Sequence, residues 1–319
     1  MAGRTRATEF VAAPSAARDS GRGANGTDHD DEAEVAAQQG SSLAVRPQSL
    51  LLTFCAHFLL DQPGVLFTGS FVEALTRAGV GEHAARTTLT RMCQRGLLAR
   101  SRIGAKVYLS LTTRGEQVLR DAETRVWSQG AVNRSWSGEW TVLSFSLPES
   151  RRAERHQLRK RLAWEGFGML HSGLWITPSV VDVPQLLSGS NLNSEVKVFK
   201  GAALPPTDVH QLVEDAWDLD ALSDGYSRFL ERWGGQEPGS GIDDALARFL
   251  LLLTEWLLLV RIDPHLPAAL LPPDWPAVPA ERLVVRLRKA YEPAAWSAFE
   301  GFADRRSAGD QVVAGRAQK

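Results

Sequence analysis

The amino-acid sequence predicts an α+β protein of several domains: an N-terminal winged helix-turn-helix, a ferredoxin-like middle domain and an all-helical C-terminal domain. Three observations support this fold class. Residues 49–111 show three helical patterns and then a strand hairpin, residues 137–204 alternate strand with helix, and residues 208–300 show only helical apolar spacing. A chain of 319 residues, 44% of them hydrophobic, is long enough for two or three buried cores.

The predicted boundaries follow changes in composition along the chain. Residues 1–48 are rich in Ala, Gly, Ser and Asp and carry an acidic run, which predicts a disordered extension. The other predicted units are the winged helix-turn-helix at 49–127, the middle domain at 137–204, the helical domain at 208–300 and a flexible tail at 301–319.

The first two helices are predicted from apolar spacing and from the residues that stop them. Residues 49–60 are apolar almost all round, as expected for a helix at the centre of a small domain, and a Pro-Gly turn follows them. Thr68 or Ser70 is expected to cap a second helix through residues 71–75. This helix closes at Gly79, in a small-residue turn typical of helix-turn-helix motifs.

The third predicted helix, residues 82–95, has two unlike faces. Ala85 and Leu89 share one face at 3.6 residues per turn, whereas Arg and Thr side chains project from the others. After this helix, residues 97–102 and 107–111 alternate apolar and polar residues around a Gly-containing turn, which predicts a hairpin. Helix, turn, helix and hairpin together give the winged-helix pattern.

Positive charge is concentrated in this same region. The whole chain is nearly neutral, with 36 Lys and Arg against 37 Asp and Glu. Between Arg77 and Arg114, however, eight basic residues stand against one acid, Glu82. Such an excess is typical of a surface that binds nucleic-acid phosphates, although an isolated basic helix is often only a solvated face. The agreement of charge, helix spacing and hairpin favours DNA binding.

The predicted DNA-binding site therefore lies on the third helix and at the hairpin tip. The helix would enter the major groove, and the hairpin would reach the flanking backbone or the minor groove. Arg86 and Arg91 are the preferred base-reading pair, because an Arg fork binds guanine O6 and N7 together, and Thr88 is a secondary candidate. The predicted set is Arg86, Thr87, Thr90, Arg91, Gln94, Arg95, Arg102 and Lys106.

Three segments of the chain carry a family resemblance. They include RMCQRGL at residues 91–97, WTVLSF at 140–145 with GLWITP at 173–178, and DPHLP at 263–267 with LLPPDWP at 270–276. In this order they resemble the PaaX-like regulators, the phenylacetate-degradation repressor family, over about residues 48–300. The resemblance implies a repressor of an aromatic-acid catabolic operon, released from double-stranded operator DNA by an aryl-CoA thioester such as phenylacetyl-CoA. We expect a homodimer, and the residues that bind the effector are not assigned.

The middle domain is predicted from short apolar strands. Leu143 and Phe145 alternate on one strand, a helix is predicted at residues 151–164, and a second strand at 169–176. Further strands are expected at residues 180–183 and 195–199. The domain also resembles, distantly, the nucleases of CRISPR adaptation. Metal-dependent cleavage there requires an acid at the end of the first strand, where this chain has Ser144, Phe145 and Ser146. This predicts a non-catalytic dimerisation platform.

Two features of the remaining sequence leave alternatives open. The basic residues of the helix at 151–164 are expected to be a solvated face, to extend the DNA-binding surface or to meet CoA phosphates. Seven of the ten Trp residues lie from Trp164 onward, where core packing is favoured over an aromatic-ligand site. The C-terminal helices are predicted at residues 208–217, 222–233, 243–260 and 279–291, with Pro293 as a helix breaker.

Catalytic, metal and membrane motifs are not found in the sequence. The seven His are scattered, without zinc-binding spacing, and no P-loop, nucleophile elbow or dinucleotide fingerprint occurs. We therefore expect no enzyme activity, no metal and no cofactor; a metal-dependent nuclease and a protein-interaction adaptor are the alternatives. Cys55 and Cys93 are expected to be buried thiols rather than a redox pair. Without a signal peptide or a membrane-spanning stretch, the predicted location is the cytoplasm.

Overall fold

The computed structural model describes residues 45–128, 130–235 and 237–307. Most of the predicted extension and residues 308–319 of the predicted tail lie outside these ranges. The N-terminal segment contains α1 (Pro47–Phe58), β1 (Val65–Phe67), α2 (Thr68–Arg77), α3 (Glu82–Gln94), β2 (Leu98–Ile103), β3 (Lys106–Leu111) and α4 (Thr113–Ser128). The middle segment contains β4 (Glu139–Phe145), α5 (Arg152–Trp164), β5 (Gly168–His171), β6 (Leu174–Thr177), α6 (Val183–Leu186) and β7 (Val196–Ala202). The C-terminal segment contains α7 (Val209–Ala216), α8 (Leu219–Trp233), α9 (Ala245–Ile262), α10 (Ala277–Glu300) and β8 (Arg305–Arg306).

The N-terminal strands form an antiparallel sheet in the order β2-β3-β1-β8. Strands β2 and β3 form a hairpin with a two-residue turn, in which Gly104 has a φ of +60°. Neither Thr68 nor Ser70 caps α2, contrary to prediction. Because the helix already begins at Thr68, both hydroxyls lie inside its first turn and donate to other segments, Thr68 to the carbonyl of Val107 (2.7 Å) and Ser70 to that of Phe302 (3.3 Å).

The structure differs from the predicted flexible tail at residues 301–307. Strand β8 pairs antiparallel with β1, so that Val65 faces Arg306. The guanidinium of Arg305 donates a hydrogen bond to the carbonyl of Phe58 at the end of α1 (2.7 Å). Backbone pairing and this side-chain bond fix the segment against the N-terminal sheet.

The N-terminal and C-terminal helices pack into one shared hydrophobic core. The ring of Phe58 in α1 lies 4.7 Å from that of Trp296 and 4.8 Å from that of Phe299, both in α10. In the same interface the buried hydroxyl of Thr254 in α9 donates to that of Thr53 in α1 (2.9 Å). Sequence order alone does not reveal such contacts, because the two Thr residues lie 201 positions apart.

The middle strands form a second antiparallel sheet in the order β5-β6-β4-β7. With α5 connecting β4 to β5, this is the predicted ferredoxin-like arrangement. One face of the sheet packs on α5 through Leu143, Phe145 and Trp175. The other face is covered by α7 and by the segment after α9, through Trp140 and Trp217. This second face connects the sheet to the C-terminal helices.

Two of the strand predictions for the middle segment are wrong. The single strand expected at residues 169–176 is a hairpin of β5 and β6, which turns at Gly173. Gly173 has a φ of +79°, and a Cβ atom there would lie 2.4 Å from the carbonyl oxygen of Phe145. No strand forms at residues 180–183, where an extended loop leads into α6.

The C-terminal helices lie close to their predicted positions, with one exception. Helix α10 continues through Pro293 to Glu300, although Pro293 was expected to end it. Proline removes one helical hydrogen bond, but Ala295 and Phe299 beyond it are buried in the shared core. Their packing offsets the lost bond. Among the helices of the described ranges, none combines the length and the apolar character needed to cross a membrane.

Candidate nucleic-acid interface

Helix α3 has the two faces that its sequence predicts. Ala85, Leu89 and Met92 are buried against α1 and the sheet, whereas Arg86 and Arg91 are exposed. Thr90 and Gln94 extend the exposed face, and Thr87 is half-buried beside it. Gly79, with a φ of +87°, makes the turn that sets this helix after α2. The buried face fixes the helix, so that its polar face points into solvent.

Arg86 is held in place by the one acid of the region. Its Nε and Nη2 atoms both donate to Oε1 of Glu82, at 2.9 and 2.7 Å. The two side chains are 58% and 64% exposed, so this pair contributes little to stability, on the order of 0.3–0.5 kcal/mol. An incoming anion therefore competes with Glu82 for the guanidinium at small cost.

Arg91 is the Arg of α3 whose side chain has no bonding partner among the described residues. Its side chain makes no hydrogen bond or ion pair with any other residue that the structure describes. By contrast, Arg95 follows the end of α3 and donates to Oε1 of Gln48 on α1 (3.1 Å). Arg91 thus presents its whole donor fork to solvent.

The three Thr residues of α3 have different environments. Thr88 is buried and donates to the carbonyl of Ala84 (2.7 Å), which excludes it as a contact residue. Thr90 is exposed and accepts a hydrogen bond from Nη2 of Arg100 (3.3 Å). Arg100 therefore joins the polar face of α3, although the predicted set omitted it. Two-residue alternation along β2 already places Arg100 on the same face as Arg102.

The hairpin tip is partly neutralised by the C-terminal segment. Nζ of Lys106 lies 2.8 Å from Oδ2 of Asp304 and 4.8 Å from the centroid of the Phe67 ring. This hydrogen bond raises the pKa of Lys106 and lowers the pKa of Asp304. Arg102 is exposed and makes only a local bond to the carbonyl of Gly104 (3.3 Å). The two predicted hairpin cations thus differ. Lys106 is paired with an acid, whereas Arg102 has no carboxylate partner among the described residues.

Arg151, directly before α5, and Arg155 within it form ion pairs inside the middle segment. Arg151 donates to Glu154 and Glu195, and Arg155 donates to Glu149. The pKa of Arg151 is raised by these hydrogen bonds, first by that to Glu154. These ion pairs neutralise part of the predicted basic face, whereas Lys160 is exposed and forms no ion pair with a described residue.

Within the described ranges, the thiols and the acidic side chains form neither a disulfide nor a metal-binding cluster. Cys55 is buried and Cys93 half-buried, and both are free thiols. Burial raises the pKa of the Cys55 thiol. Within the described residues, no three His, Cys, Asp or Glu side chains gather closely enough to hold a metal ion.

The order of elements and the exposed basic face define the class of the protein: an α+β chain with a basic helix-and-hairpin surface ahead of a ferredoxin-like sheet. Family models match all three segments: "PaaX-like protein" at residues 46–115, "PaaX protein central Cas2-like domain" at 133–213 and "PaaX-like protein C-terminal domain" at 217–301. The chain belongs to the PaaX-like family, which confirms the resemblance predicted from sequence.

Two individual proteins extend this comparison. The chain is 30% identical over 268 residues to the Escherichia coli protein named Transcriptional repressor PaaX, covering 80% of this chain and 83% of the relative. That relative has a non-enzymatic role, in agreement with the prediction that this chain is not an enzyme. Uncharacterized protein Rv0674 from Mycobacterium tuberculosis shares the fold, with a TM-score of 0.56 and 22% identity over 81% of this chain and 99% of that chain.

Proposed function

We propose that the chain is a transcriptional repressor in which residues 46–115 form a winged helix-turn-helix that binds double-stranded operator DNA. The observation that carries the proposal is the exposed polar face of α3, continued by Arg100 and Arg102 on β2. An α-helix fits the major groove, where side chains from one face reach base edges. The family relationship to a named repressor supports the same function.

Within this interface the Arg residues have different tasks. Arg91 and Arg86 read bases from the helix. The Arg91 guanidinium has no described partner, whereas that of Arg86 must first release its hydrogen bonds to Glu82. Arg100 and Arg102 contact phosphates beside the groove, because they lie on the strand that flanks α3. Lys106 contributes little while it remains bonded to Asp304.

The regulated genes and the effector are proposed from the family. The repressor would control an aromatic-acid catabolic operon in the cytoplasm and would be released by an aryl-CoA thioester such as phenylacetyl-CoA. Release requires that the thioester bind the DNA-free form more tightly, by about 1–3 kcal/mol. We propose a homodimer, in which two copies of α3 enter successive major grooves of one operator.

Binding to the promoter region of the chain's own operon tests the proposal. The dissociation constant is measured over a salt series for the wild type, Arg91→Ala and Arg102→Ala, with Arg228→Ala, an exposed Arg of α8, as the charge-matched control. Loss of Arg91 should cost about 1–3 kcal/mol and relax specificity at one base position. Loss of Arg102 should weaken all sequences alike and reduce the salt slope by about 1.

Three results would contradict this division of labour. Identical specificity profiles for Arg91→Ala and Arg102→Ala would remove the distinction between base reading and phosphate contact. An equal loss of affinity in Arg228→Ala would show a general charge effect. Weak binding that ignores sequence would favour the adaptor alternative, which, like the nuclease alternative, gains no specific observation from the described residues.

A further inference from the structure

A cleft with two contiguous lobes lies between α5 of the middle segment and helices α8 and α9. The apolar lobe has a volume of about 380 Å³ and is lined by Trp164, Phe167, Trp217, Leu222 and Ile262. The polar lobe has a volume of about 890 Å³. Both lobes are lined by Lys160 and Arg261, so these two cations stand where the lobes join. We call this space the interdomain cleft.

The two cations of the interdomain cleft have no acidic partner among the residues that the structure describes. Arg261 stacks its guanidinium over the Trp164 ring, 4.5 Å from the centroid, and burial lowers its pKa. Lys160 on α5 forms neither a hydrogen bond nor an ion pair with the described chain. The single carboxylate of the apolar lobe, Asp218, instead caps α8 by accepting from the backbone of Ala221 (2.9 Å).

Four carboxylates also line the polar lobe, those of Asp121, Glu165, Asp182 and Asp263. Asp263 accepts a hydrogen bond from Tyr226, and Asp182 caps α6. The two cations at the junction therefore lie near carboxylates but form no ion pair with any described one.

Buried polar atoms that line the cleft also lack partners in the described chain. His265 is 7% exposed, and neither of its ring nitrogens forms a hydrogen bond there. Nε1 of Trp217, in the apolar lobe, is buried and equally unsatisfied. Buried donors and acceptors are nearly always paired, because an unpaired one costs about 1–3 kcal/mol. These atoms are shielded from the cleft by their neighbours, so a ligand reaches them only after the lining side chains turn.

We propose that the interdomain cleft binds the effector, with an aromatic acyl group between the indole rings of the apolar lobe and its negative charge at Lys160 and Arg261. The proposal rests on the proposed function, in which such an effector releases DNA. Indole and phenyl faces pack well on a flat ring, and guanidinium and ammonium groups bind anions. Free aryl carboxylates and anionic CoA thioesters share this chemistry. The polar lobe has room for the larger carrier, whose phosphates would have to bind Lys160, Arg161 and Arg261 and avoid the carboxylates there.

Helix α9 connects the cleft to the DNA-binding segment. Arg261 and Ile262 occupy its last turn, whereas its N-cap residue, Asp244, accepts a hydrogen bond from Nη1 of Arg77 on α2 (3.4 Å). A helix of 18 residues is about 27 Å long. A ligand that displaces Arg261 therefore acts on the same helix that α2 contacts at its other end.

The test is calorimetry on the full chain with three probes: phenylacetyl-CoA, phenylacetate and free CoA. Lys160→Gln and Arg261→Gln should each weaken binding of the acyl ligand at least tenfold. Trp217→Phe, which replaces the indole of the apolar lobe by a smaller phenyl ring, should weaken binding severalfold. Lys289→Gln, an exposed cation of α10, is the matched control and should bind like the wild type. Circular dichroism of each variant verifies folding.

The probes and the operator assay separate the possible outcomes. Tight phenylacetate binding identifies the free acid as the ligand, and binding of phenylacetyl-CoA alone identifies the thioester. Either result supports the cleft proposal if the Lys160, Arg261 and Trp217 variants bind that ligand more weakly. Equal affinity in all variants, tight binding of free CoA alone, or no heat with any probe overturns the cleft proposal. In that case operator binding still decides the repressor function independently. Conversely, variant-sensitive ligand binding without operator binding would retain the cleft and reject the repressor.

Discussion

Substitutions of the buried Thr53 and Thr254 would show how much the hydrogen bond between α1 and α9 contributes to the free energy of unfolding. Thr254 is 0% exposed and Thr53 1%. Oγ1 of Thr254 donates to Oγ1 of Thr53, which itself donates to the carbonyl of Ser49 (3.0 Å). The two hydroxyls are therefore not equivalent, and their removal should have unequal costs.

The two single substitutions differ in what each leaves behind. Thr254→Val keeps the bond from Thr53 to the Ser49 carbonyl and should cost about 0.5–1.5 kcal/mol, the net value of one hydrogen bond. Thr53→Val leaves the buried Thr254 hydroxyl without its acceptor, and the desolvation penalty raises the expected cost to about 1–3 kcal/mol. In the double variant both groups are apolar. Its cost should fall below the sum of the single costs by about 1 kcal/mol or more.

Urea unfolding of the full chain, followed by Trp fluorescence and circular dichroism, measures these free energies. The exposed Thr207→Val is the control and should change stability by less than about 0.5 kcal/mol. Additive single costs, or a larger cost for Thr254→Val than for Thr53→Val, would refute the reasoning. Separate transitions for the N-terminal and C-terminal helices would contradict a shared core.

Three further predictions concern titration, backbone strain and the hairpin cation. Burial and the nearby positive charge of Arg288 lower the pKa of His57 from 6.5 to about 4, so the unfolded chain binds the proton more readily between these values. Stability should therefore fall as the pH drops from about 6.5 to about 4, and a His57→Gln variant with an equal pH slope in urea titrations would contradict this. Gly79→Ala meets no atom within 4 Å and should cost about 1–2 kcal/mol for its positive φ alone, whereas Gly173→Ala adds a clash with the facing carbonyl and should cost more; equal unfolding midpoints would disprove the difference. Asp304→Asn removes the charge that neutralises Lys106 and should tighten operator binding and steepen its salt dependence, whereas an unchanged salt slope would show that this cation does not approach DNA.

Local sequence patterns predicted those parts of the fold that depend on local periodicity. The faces of α3 follow from 3.6-residue spacing, and the buried side of β4 follows from two-residue alternation. Gly173 carried a usable signal, because a Gly inside an apparent strand often marks a break. The predicted set omitted Arg100, although two-residue alternation places it on the same face of β2 as Arg102.

Long-range contacts left no comparable signal in the sequence. Asp304 lies 198 residues beyond Lys106, and no periodic pattern relates the two positions. The pairing of β8 with β1 involves only two residues of each strand, too few for a strand pattern. The interdomain cleft likewise brings together Lys160 and Arg261, which lie 101 positions apart and share no sequence pattern.

The packing of α9 would carry the effect of the proposed ligand from one end of the helix to the other. The helix is apolar on nearly all sides because α1, α2, α8 and α10 all pack against it. Its half-buried acid, Glu255, accepts a hydrogen bond from Nε1 of Trp233 (2.8 Å), which connects α9 to α8 as well. Close-packed cores resist local deformation, so a displacement of the last turn is transmitted along the helix rather than absorbed within it. The Asp244–Arg77 contact at the far end of α9 would bring that displacement to α2, and it is weak enough, at 3.4 Å and partly exposed, to be exchanged.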